Sequence, residues 1–379
     1  MQEDDDRPSR HDGVVLSPEE YGWLVLDRRR GRHHRLNPTA GVILSLCDGT
    51  RTLDELVADV SDHYGLEPGE AATQIRPLLV EVEALGLLMS DDAAPAVERY
   101  RSPRPLGWDH TGGTYSALDL HFDVRCTDLT VLETIERSLH TLRAGPDTQP
   151  ATHLDVWSHN AGWSGQLGSR TFGPGLPAEY VAEQVIGLVN QSVVARNRRR
   201  WLVHASGIEH EGRCVLVMGP TNSGKSTIAA AAVAAGFGYL GDEVIGVDPI
   251  TRQVEGYPKP ITINPGSKVV IGAGDADLGI SWRNWYLDPE LLHAGSIRRT
   301  ASLRAVLIAR HSPGAPIGPT PCDTSDAVEA WMANSFNVAR HAAHVDNIEA
   351  MTRSVGFYRY EHDDVAATVD TLAALLGRI

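Results

Sequence analysis

The sequence predicts a multi-domain α/β protein with three structured parts, and a different pattern points to each part. A hairpin pattern followed by helical patterns in residues 13–92 predicts a winged-helix-like α+β domain. Mixed strand and helix patterns in residues 106–200 predict a middle α/β layer. An apolar strand, a glycine-rich loop and an alanine-rich helix in residues 201–379 predict a C-terminal P-loop domain.

Composition narrows the class of protein. The formal net charge of −15 argues against a general nucleic-acid binder, because phosphate backbones attract basic surfaces. No apolar run is long enough to span a bilayer, and the acidic residues 1–12 predict a disordered tail rather than a signal peptide. The four cysteines are far apart, which favours separate thiols in a reducing compartment. We therefore expect a cytoplasmic protein with no nucleic-acid or membrane partner.

Residues 13–92 contain the signals of the N-terminal domain. Two extended runs at residues 21–26 and 33–36 flank a polar turn and predict a hairpin. Three helical patterns follow the hairpin. Thr52 is predicted to cap the second helix, and the third helix is predicted over residues 67–87.

The segment after this domain is predicted to be a linker. Residues 93–105 are polar and rich in proline, which is typical of a semi-rigid connection. Beyond it, residues 115–124 and 163–172 are each predicted as one strand, and residues 177–197 as a long helix. No motif in residues 106–200 indicates chemistry.

The strongest motif is G-x-x-x-x-G-K-S, which begins at Gly219. Glycine lets the backbone curl around an anion, and the following helix adds partial positive charge at its N-terminus. Lys225 can reach the β- and γ-phosphates of a nucleotide, and the Ser226 hydroxyl can bind Mg²⁺. The predicted nucleotide-binding residues are Gly219, Pro220, Thr221, Asn222, Ser223, Gly224, Lys225, Ser226 and Thr227.

Further polar residues are predicted to lie near this loop. A strand before the loop carries His204, and a short strand at residues 237–240 leads to Asp242 and Glu243. An acid one strand away from a P-loop can meet Mg²⁺ or the attacking nucleophile. We therefore expect ATP and Mg²⁺ as cofactors, with Ser226, Asp242 and Glu243 as candidate metal ligands.

Two arginines are candidates for contact with the substrate or with the transferred phosphate. Arg298 and Arg299 precede the apolar residues 305–309. A positive group near the moving phosphoryl would offset its negative charge. Surface charge at a strand end is the alternative explanation for each arginine.

Several motifs of the C-terminal domain are also found in HPr kinase/phosphorylase and the HPr-kinase-related proteins, which this part of the chain resembles. They are H-A-x-G at residues 204–207, G-P-x-x-S-G-K-S-T at 219–227, G-x-x-Y-L-G-D-E at 236–243, Y-P-K-P-I-T-I-N-P-G-S at 257–267 and N-S-F-N at 334–337. The resemblance implies an HPr-kinase-like P-loop domain with kinase activity.

The same resemblance implies roles for single residues. Asp242 takes the place of the family's general base, Lys225 contributes at the phosphates, and His204 lies beside the active centre. Glu243 departs from HPr kinase itself, which has a second aspartate there, but agrees with the related proteins. HPr-recognition signatures are not clearly present, which puts a role in carbohydrate regulation in doubt. HPr kinases are homo-oligomers, which suggests a homo-oligomer here.

The N-terminal domain resembles the PqqD-like family, the RiPP recognition elements. The resemblance rests on L-x-x-D ending at Asp27, L-N-P-T-A at residues 36–40 and I-L-x-L-C-D-G at residues 43–49. It implies that the leader of a ribosomally made precursor peptide binds here as an added strand. The edge that receives the leader would be formed by Arg32, His33, His34 and Arg35. A winged-helix packing module without peptide binding is the alternative.

Together these features predict a kinase that phosphorylates a serine or threonine of a precursor peptide. Fusion to a leader-binding domain would raise the effective concentration of the peptide at the active site. One alternative is a P-loop kinase of a small molecule or of another protein. The other is an ATP-gated chaperone that presents a peptide without transferring phosphate.

Overall fold

The computed structural model divides the chain into two compact units, Met1–Arg101 and Ser102–Ile379. Within the described part, no helix is long and apolar enough to cross a membrane. Half of the predicted tail, most of the predicted linker, and Thr221 lie outside the described residues. The structure describes residues 7–19, 22–27, 29, 32–36, 38–64, 67–89, 104–159, 162–220, 222–264, 267, 271, 274–281, 284–314, 318–336 and 345–377.

The first unit combines a three-stranded antiparallel sheet with helices. The sheet has the order β2-β3-β4, so β4 lies at one edge, and β1 pairs separately with β5. The hairpin expected from the sequence is present as β3 and β4. The described elements are β1 (Ser9–Arg10), β2 (Val14–Glu19), β3 (Gly22–Asp27), β4 (Arg32–Leu36), α1 (Pro38–Leu46), α2 (Leu53–Tyr64), α3 (Pro68–Ala84) and β5 (Leu88–Met89).

Local hydrogen bonds explain where two of these helices begin and end. At the start of α2, the backbone N–H of Glu55 donates to the Thr52 hydroxyl, and the Thr52 N–H donates to the Glu55 carboxylate at 2.8 Å. This reciprocal pair is a capping box. Helix α3 ends at Ala84, before the predicted residue 87, because Gly86 turns the chain with φ +68°. The N–H of Leu87 then closes the end by donating to a carbonyl oxygen of the last turn.

The second unit begins with a five-stranded sheet of order β10-β9-β8-β7-β6. Helices α4 and α5 pack their apolar side chains against one face, which includes the fully buried Phe122 and Leu154. The elements of this layer are β6 (His110–Ala117), β7 (Leu120–Cys126), α4 (Leu129–Leu139), β8 (Thr152–His159), β9 (Gly162–Leu167), β10 (Arg170–Leu176) and α5 (Val181–Arg196).

Two strand predictions in this layer were wrong, because each predicted strand contains a turn. Residues 115–124 form parts of β6 and β7, which meet at Leu118 with φ +51°. Residues 163–172 form parts of β9 and β10, which meet at Gly168 with φ +64°. Leu118 is apolar and continues the run of core side chains, so hydrophobic periodicity did not reveal the first turn.

The rest of the second unit is built on a nine-stranded sheet. Its main order is β11-β15-β16-β19-β13-β12-β14, while β21 pairs with β19 and β20 with β21. The described elements are β11 (Trp201–Val203), β12 (Ala205–His210), β13 (Arg213–Met218), α6 (Lys225–Ala234), β14 (Gly238–Gly241), β15 (Ile245–Val247), β16 (Gln253–Glu255), β17 (Ile261–Ile263), β18 (Trp285–Leu287), α7 (Pro289–Leu292), β19 (Thr300–His311), β20 (Thr320–Pro321), α8 (Thr324–Ala333), α9 (Val345–Thr352), β21 (Gly356–His362) and α10 (Val365–Leu376).

The register of this sheet brings the loops that follow β13 and β14 to the same end of the strands. Strand β12 is antiparallel to β13 and pairs Ala205 with Met218. It is also antiparallel to β14 and pairs Gly207 with Gly241. Strands β13 and β14 therefore end beside the beginning of β12, and the residues that follow these two strands lie close together.

Two apolar cores contain residues next to this end of the strands. In one core, Val217 of β13 packs with Ile228 of α6 and Leu372 of α10. The core of the middle layer includes Val244 and Tyr257, which follow β14. It also includes Leu202 of β11, so the middle layer packs against the large sheet within the second unit.

Candidate functional site

The phosphate loop connects β13 to α6, and its backbone requires glycine at two positions. Gly219 has φ +146° and Gly224 has φ +91°. A Cβ atom on Gly219 would lie 2.3 Å from the carbonyl oxygen of Ala309, and one on Gly224 would lie 2.7 Å from Cε1 of His362. The loop is therefore fixed by close contacts with β19 and β21.

Lys225 is the first residue of α6, and it is 7% exposed. Its ammonium donates to the carbonyl oxygens of Gly219 at 2.8 Å and Pro220 at 2.9 Å. An ammonium has three N–H donors, so one remains for an anion in the loop. Burial lowers the pKa of Lys225, while the nearby carboxylates of Asp242 and Glu243 act in the opposite direction.

Asp242 is the first of two acids after β14, and it is 1% exposed. Its Oδ2 accepts a hydrogen bond from the Ser226 hydroxyl at 2.9 Å, and its Oδ1 accepts one from the Ser206 hydroxyl at 2.5 Å. Asp242 thus connects the first turn of α6 to β12. The sequence predicted that the acid follows the strand next to β13. This was wrong, because β12 lies between β13 and β14.

Glu243 has a different environment, because its side chain is 40% exposed and its φ is +78°. Its Oε2 lies 3.1 Å from Nζ of Lys259 and accepts a hydrogen bond from Nδ2 of Asn190 at 2.7 Å. Burial raises the pKa of Glu243, but the charge and hydrogen bond of Lys259 outweigh it and hold the pKa below its ordinary value.

His204 joins this group from the residue between β11 and β12. Its backbone N–H donates to the carbonyl oxygen of Asn334 at 2.6 Å, and its ring centroid lies 5.8 Å from that of Phe336. Burial, followed by the charge of Lys225, lowers the pKa of His204. The structure therefore brings His204, Lys225 and the two acids into one electrostatically coupled group.

Four residues of this neighbourhood were not singled out from the sequence: Ser206, Asn190, Lys259 and His362. Lys259 is a fixed residue of the motif at 257–267, so its position carried a signal, whereas Ser206 is the variable residue of H-A-x-G. Asn190 lies on α5 of the middle layer, and only the fold brings it to Glu243. His362 ends β21 and reaches the loop through sheet pairing.

Arg298 and Arg299 form hydrogen bonds with other parts of the protein. Arg298 donates to the carboxylate of Glu209 at 2.9 Å, and Glu209 lies toward the end of β12 that is far from Ser206. Arg299 donates to the carbonyl oxygen of Thr141. Neither arginine is brought to the phosphate loop, and the suggested contact with the transferred phosphate gains no support.

The predicted leader edge corresponds to β4 of the first unit. In the described part of the chain, β4 pairs with β3 and with no second strand, so it is an edge strand of the three-stranded sheet. The side chains of Arg32, His33 and Arg35 lie outside what the structure describes, and His34 is half-buried.

The residues of the loop suit a nucleotide and Mg²⁺. The Ser226 hydroxyl and the Asp242 carboxylate are the oxygen donors that Mg²⁺ prefers. The buried Ser223 hydroxyl has no hydrogen-bond partner among the described residues and lies within the loop. The described residues contain no group of three or more His, Cys, Asp or Glu side chains that could hold a metal. Phosphate oxygens and waters would complete the coordination of Mg²⁺ at Ser226 and Asp242.

Comparison with known proteins adds a family match for the first unit. Residues 22–88 match the family "Coenzyme PQQ synthesis protein D (PqqD)". Two similar solved structures are "Lasso peptide synthetase B1 complexed with the leader peptide" and "TbiB1 in Complex with the TbiA(beta) Leader Peptide". The first is 20% identical and covers 22% of this chain and 100% of that chain, with a TM-score of 0.21. The second is 20% identical and covers 23% of this chain and 99% of that chain, with a TM-score of 0.20.

A third solved structure is similar over a larger part of the chain. It is the "Hpr(Ser) kinase/phosphatase from Coxiella burnetii", which is 14% identical and covers 47% of this chain and 88% of that chain, with a TM-score of 0.27. No curated protein matches the sequence. The chain is thus a mixed α/β protein with a PqqD-like N-terminal segment and a similarity to HPr kinase/phosphatase.

Proposed function

We propose that this protein is an ATP-dependent phosphotransferase that phosphorylates a serine or threonine of a ribosomally synthesised precursor peptide. The observation that supports this most directly is the contact of the Ser226 hydroxyl with Asp242, beside the buried ammonium of Lys225. A hydroxyl, a carboxylate and an ammonium at the N-terminus of a helix form the arrangement that phosphoryl transfer requires.

In this proposal the phosphates of ATP lie on residues 219–227, where backbone N–H groups and Lys225 offset their charge. Mg²⁺, when bound with the nucleotide, would be held by Ser226 and Asp242 and would neutralise charge on the phosphates. His204 belongs to the same electrostatically coupled group, and burial lowers its pKa. The acceptor hydroxyl reaches the γ-phosphate from the side of the two acids.

The first unit supplies the second half of the proposal, which is recognition of the leader. Strand β4 is an edge strand in the described part of the sheet, and peptides bind to edge strands by adding a strand. Two of the similar solved structures are named as complexes with a leader peptide. A leader held on the first unit would raise the local concentration of the acceptor residue at the second unit.

Peptide phosphorylation is tested by mass spectrometry after incubation with ATP, Mg²⁺ and the candidate peptide encoded beside the gene. We expect the mass to rise by one phosphate group with the wild-type protein and to stay unchanged with Lys225→Ala. Glu211→Gln is the control, because Glu211 lies in the exposed turn between β12 and β13 and contacts only Arg213 among the described residues. ATP turnover without peptide phosphate would instead favour the ATP-gated chaperone.

Leader recognition needs a separate binding measurement. Deletion of residues 1–95 should lower the affinity for the peptide sharply. His34→Pro should do the same within the full chain, because proline removes a backbone donor and disturbs the edge strand. Unchanged affinity in both variants would contradict docking on this unit.

A further inference from the structure

The two adjacent acids of the site are not equivalent. Asp242 is 1% exposed, and both of its oxygens accept hydrogen bonds from serine hydroxyls. Glu243 is partly buried with a side chain that is 40% exposed, and both of its contacts fall on Oε2. Within the described residues, Oε1 of Glu243 accepts no hydrogen bond. An acceptor hydroxyl that enters from solvent can therefore reach an oxygen of Glu243 that accepts no hydrogen bond, whereas the carboxylate of Asp242 is almost inaccessible.

The position of Asp242 also separates the roles of the two acids. Its Oδ2 accepts a hydrogen bond from Ser226, which lies in the first turn of α6 beside the phosphate loop. Its Oδ1 is held by Ser206 on the neighbouring strand β12. Asp242 is thus oriented toward the phosphates and fixed there from two sides, as a carboxylate that supports a loop-bound cation should be.

We infer that Glu243, rather than Asp242, receives the proton of the acceptor hydroxyl, and that Lys259 and Asn190 hold Glu243 for this step. The inference rests on the proposed phosphotransferase function. It reverses the roles that the resemblance to HPr kinase implies, because that resemblance gives the first acid the role of base.

The proposed step is balanced as follows. The acceptor oxygen forms a bond to the γ-phosphorus of ATP while the bond from that phosphorus to the β,γ-bridging oxygen breaks. The hydroxyl proton moves to Oε1 of Glu243, and ADP leaves with the electron pair of the broken bond. The loose transition state of phosphoryl transfer needs a well-placed acceptor for the proton more than a strong base.

The surroundings of Glu243 fit a side chain that is held for a task. Lys259 is fully buried, and its ammonium contacts Glu243 at 3.1 Å, the carbonyl oxygen of Pro260 at 3.2 Å and the Thr262 hydroxyl at 3.2 Å. A buried ammonium is tolerated when all its donors are paired in this way. The positive φ of Glu243 is a strained conformation that persists only where the surroundings determine it.

Asn190 gives the middle layer a part in the site. It lies on α5, and its Nδ2 donates to the same Oε2 that contacts Lys259. Two donors on one oxygen fix the orientation of the carboxylate and leave its other oxygen without a hydrogen bond among the described residues. Asn190 and Lys259 are therefore positioning residues, and residues 106–200 contribute to the chemistry rather than acting as a spacer.

The division of roles is tested with Glu243→Gln and Asp242→Asn in the full-length protein, with Glu211→Gln as the matched control. ATP affinity is measured by calorimetry with and without Mg²⁺, and peptide phosphorylation is measured in a single turnover. We expect Glu243→Gln to keep the Mg²⁺ dependence of ATP affinity while its transfer rate falls by about 100-fold or more. Asp242→Asn should lose the Mg²⁺ dependence.

The results separate this inference from the proposed function. If the wild-type protein phosphorylates the peptide but Glu243→Gln retains its transfer rate within about threefold, Glu243 is not the proton acceptor. Loss of the Mg²⁺ dependence in Glu243→Gln would place Glu243 at the metal and would also overturn the inference. If the wild-type protein transfers no phosphate to any peptide, the proposed function itself fails.

The positioning role is tested by double-mutant cycles. Asn190→Ala and Lys259→Met should each lower the transfer rate in the wild-type background, while ATP affinity stays within about threefold. Neither substitution should lower the rate further in the Glu243→Gln background, because residues that act through Glu243 lose their effect once it is replaced. Equal losses in both backgrounds would indicate a general structural effect and would contradict positioning.

Discussion

The imidazole of His362 lies 2.9 Å from the carbonyl oxygen of Ser223, which is 139 residues away along the chain. A carbonyl oxygen can only accept a hydrogen bond, so Nε2 carries a hydrogen and donates a hydrogen bond to the loop. Nδ1 is buried without a partner among the described residues. The last strand of the large sheet therefore holds the phosphate loop through His362.

This contact predicts a pH dependence of stability. Burial lowers the pKa of His362, and burial also lowers the pKa of His204. A histidine whose folded pKa lies below its unfolded value, near about 6.5, stabilises the fold above that pH and loses this contribution as the pH falls through the folded pKa. The free energy of unfolding should therefore decrease as the pH falls below about 6.5.

His362→Gln isolates the part of this dependence that belongs to His362. Glutamine keeps an N–H donor for the Ser223 carbonyl but does not titrate, so the decrease should be smaller in this variant. Denaturant unfolding at several pH values measures it, and His293→Gln, at an exposed histidine of the same unit, is the control. Parallel curves for His362→Gln and wild type would show that His362 does not contribute.

A substitution at Gly224 should reduce ATP binding by more than the strain of its positive φ alone would cause, because an added side chain would also contact His362. Gly224→Ala places a methyl group 2.7 Å from Cε1 of His362 at φ +91°. Gly212→Ala is the matched control, because Gly212 has φ +79° and nothing lies within 4 Å of the added methyl group. We expect Gly212→Ala to cost about 1 kcal/mol and to leave ATP affinity unchanged. Calorimetry should find little or no ATP binding by Gly224→Ala, and equal affinities would contradict the close contact.

Lys225 should contribute to function at the expense of stability. Its ammonium is buried against two carbonyl oxygens, and burial of a charge is unfavourable. Lys225→Met fills a similar volume without the charge, so the free energy of unfolding should stay equal or increase. ATP affinity should nevertheless fall by at least about tenfold, because the loop loses its positive charge. A stability loss larger than about 1 kcal/mol would show that the ammonium is a structural element instead.

The sequence predicted the parts of this site that are local in the chain. The strand, loop and helix around Gly219 and Lys225 follow from residues within one short segment, and so does the cap that Thr52 forms on α2. The contacts made by Asn190 and His362 could not be predicted, because they depend on the packing of α5 and on the pairing of β21 with β19. The turn at Leu118 was missed because its residue is apolar.

The capping box of α2 should be measurable in the first unit. Thr52→Ala removes the acceptor for the Glu55 N–H, and loss of such a cap costs about 1 kcal/mol. Thr73→Ala is the matched control, since the Thr73 hydroxyl only donates back to the carbonyl oxygen of Gly69 within α3. Thermal unfolding should shift for Thr52→Ala and stay nearly unchanged for Thr73→Ala. A similar shift in both would contradict the cap.

Ser206 should be needed to keep Asp242 in place. Its hydroxyl donates to Oδ1 of the buried carboxylate, and removal of a partner from a buried charged group costs about 1–3 kcal/mol. Ser206→Ala should therefore lower both the free energy of unfolding and the affinity for ATP with Mg²⁺, while the affinity without Mg²⁺ changes less. Ser192→Ala is the matched control, because the buried Ser192 hydroxyl has no partner among the described residues, so its removal should be neutral or stabilising. If the two variants behave alike in unfolding and in calorimetry, Asp242 does not depend on Ser206 for its orientation.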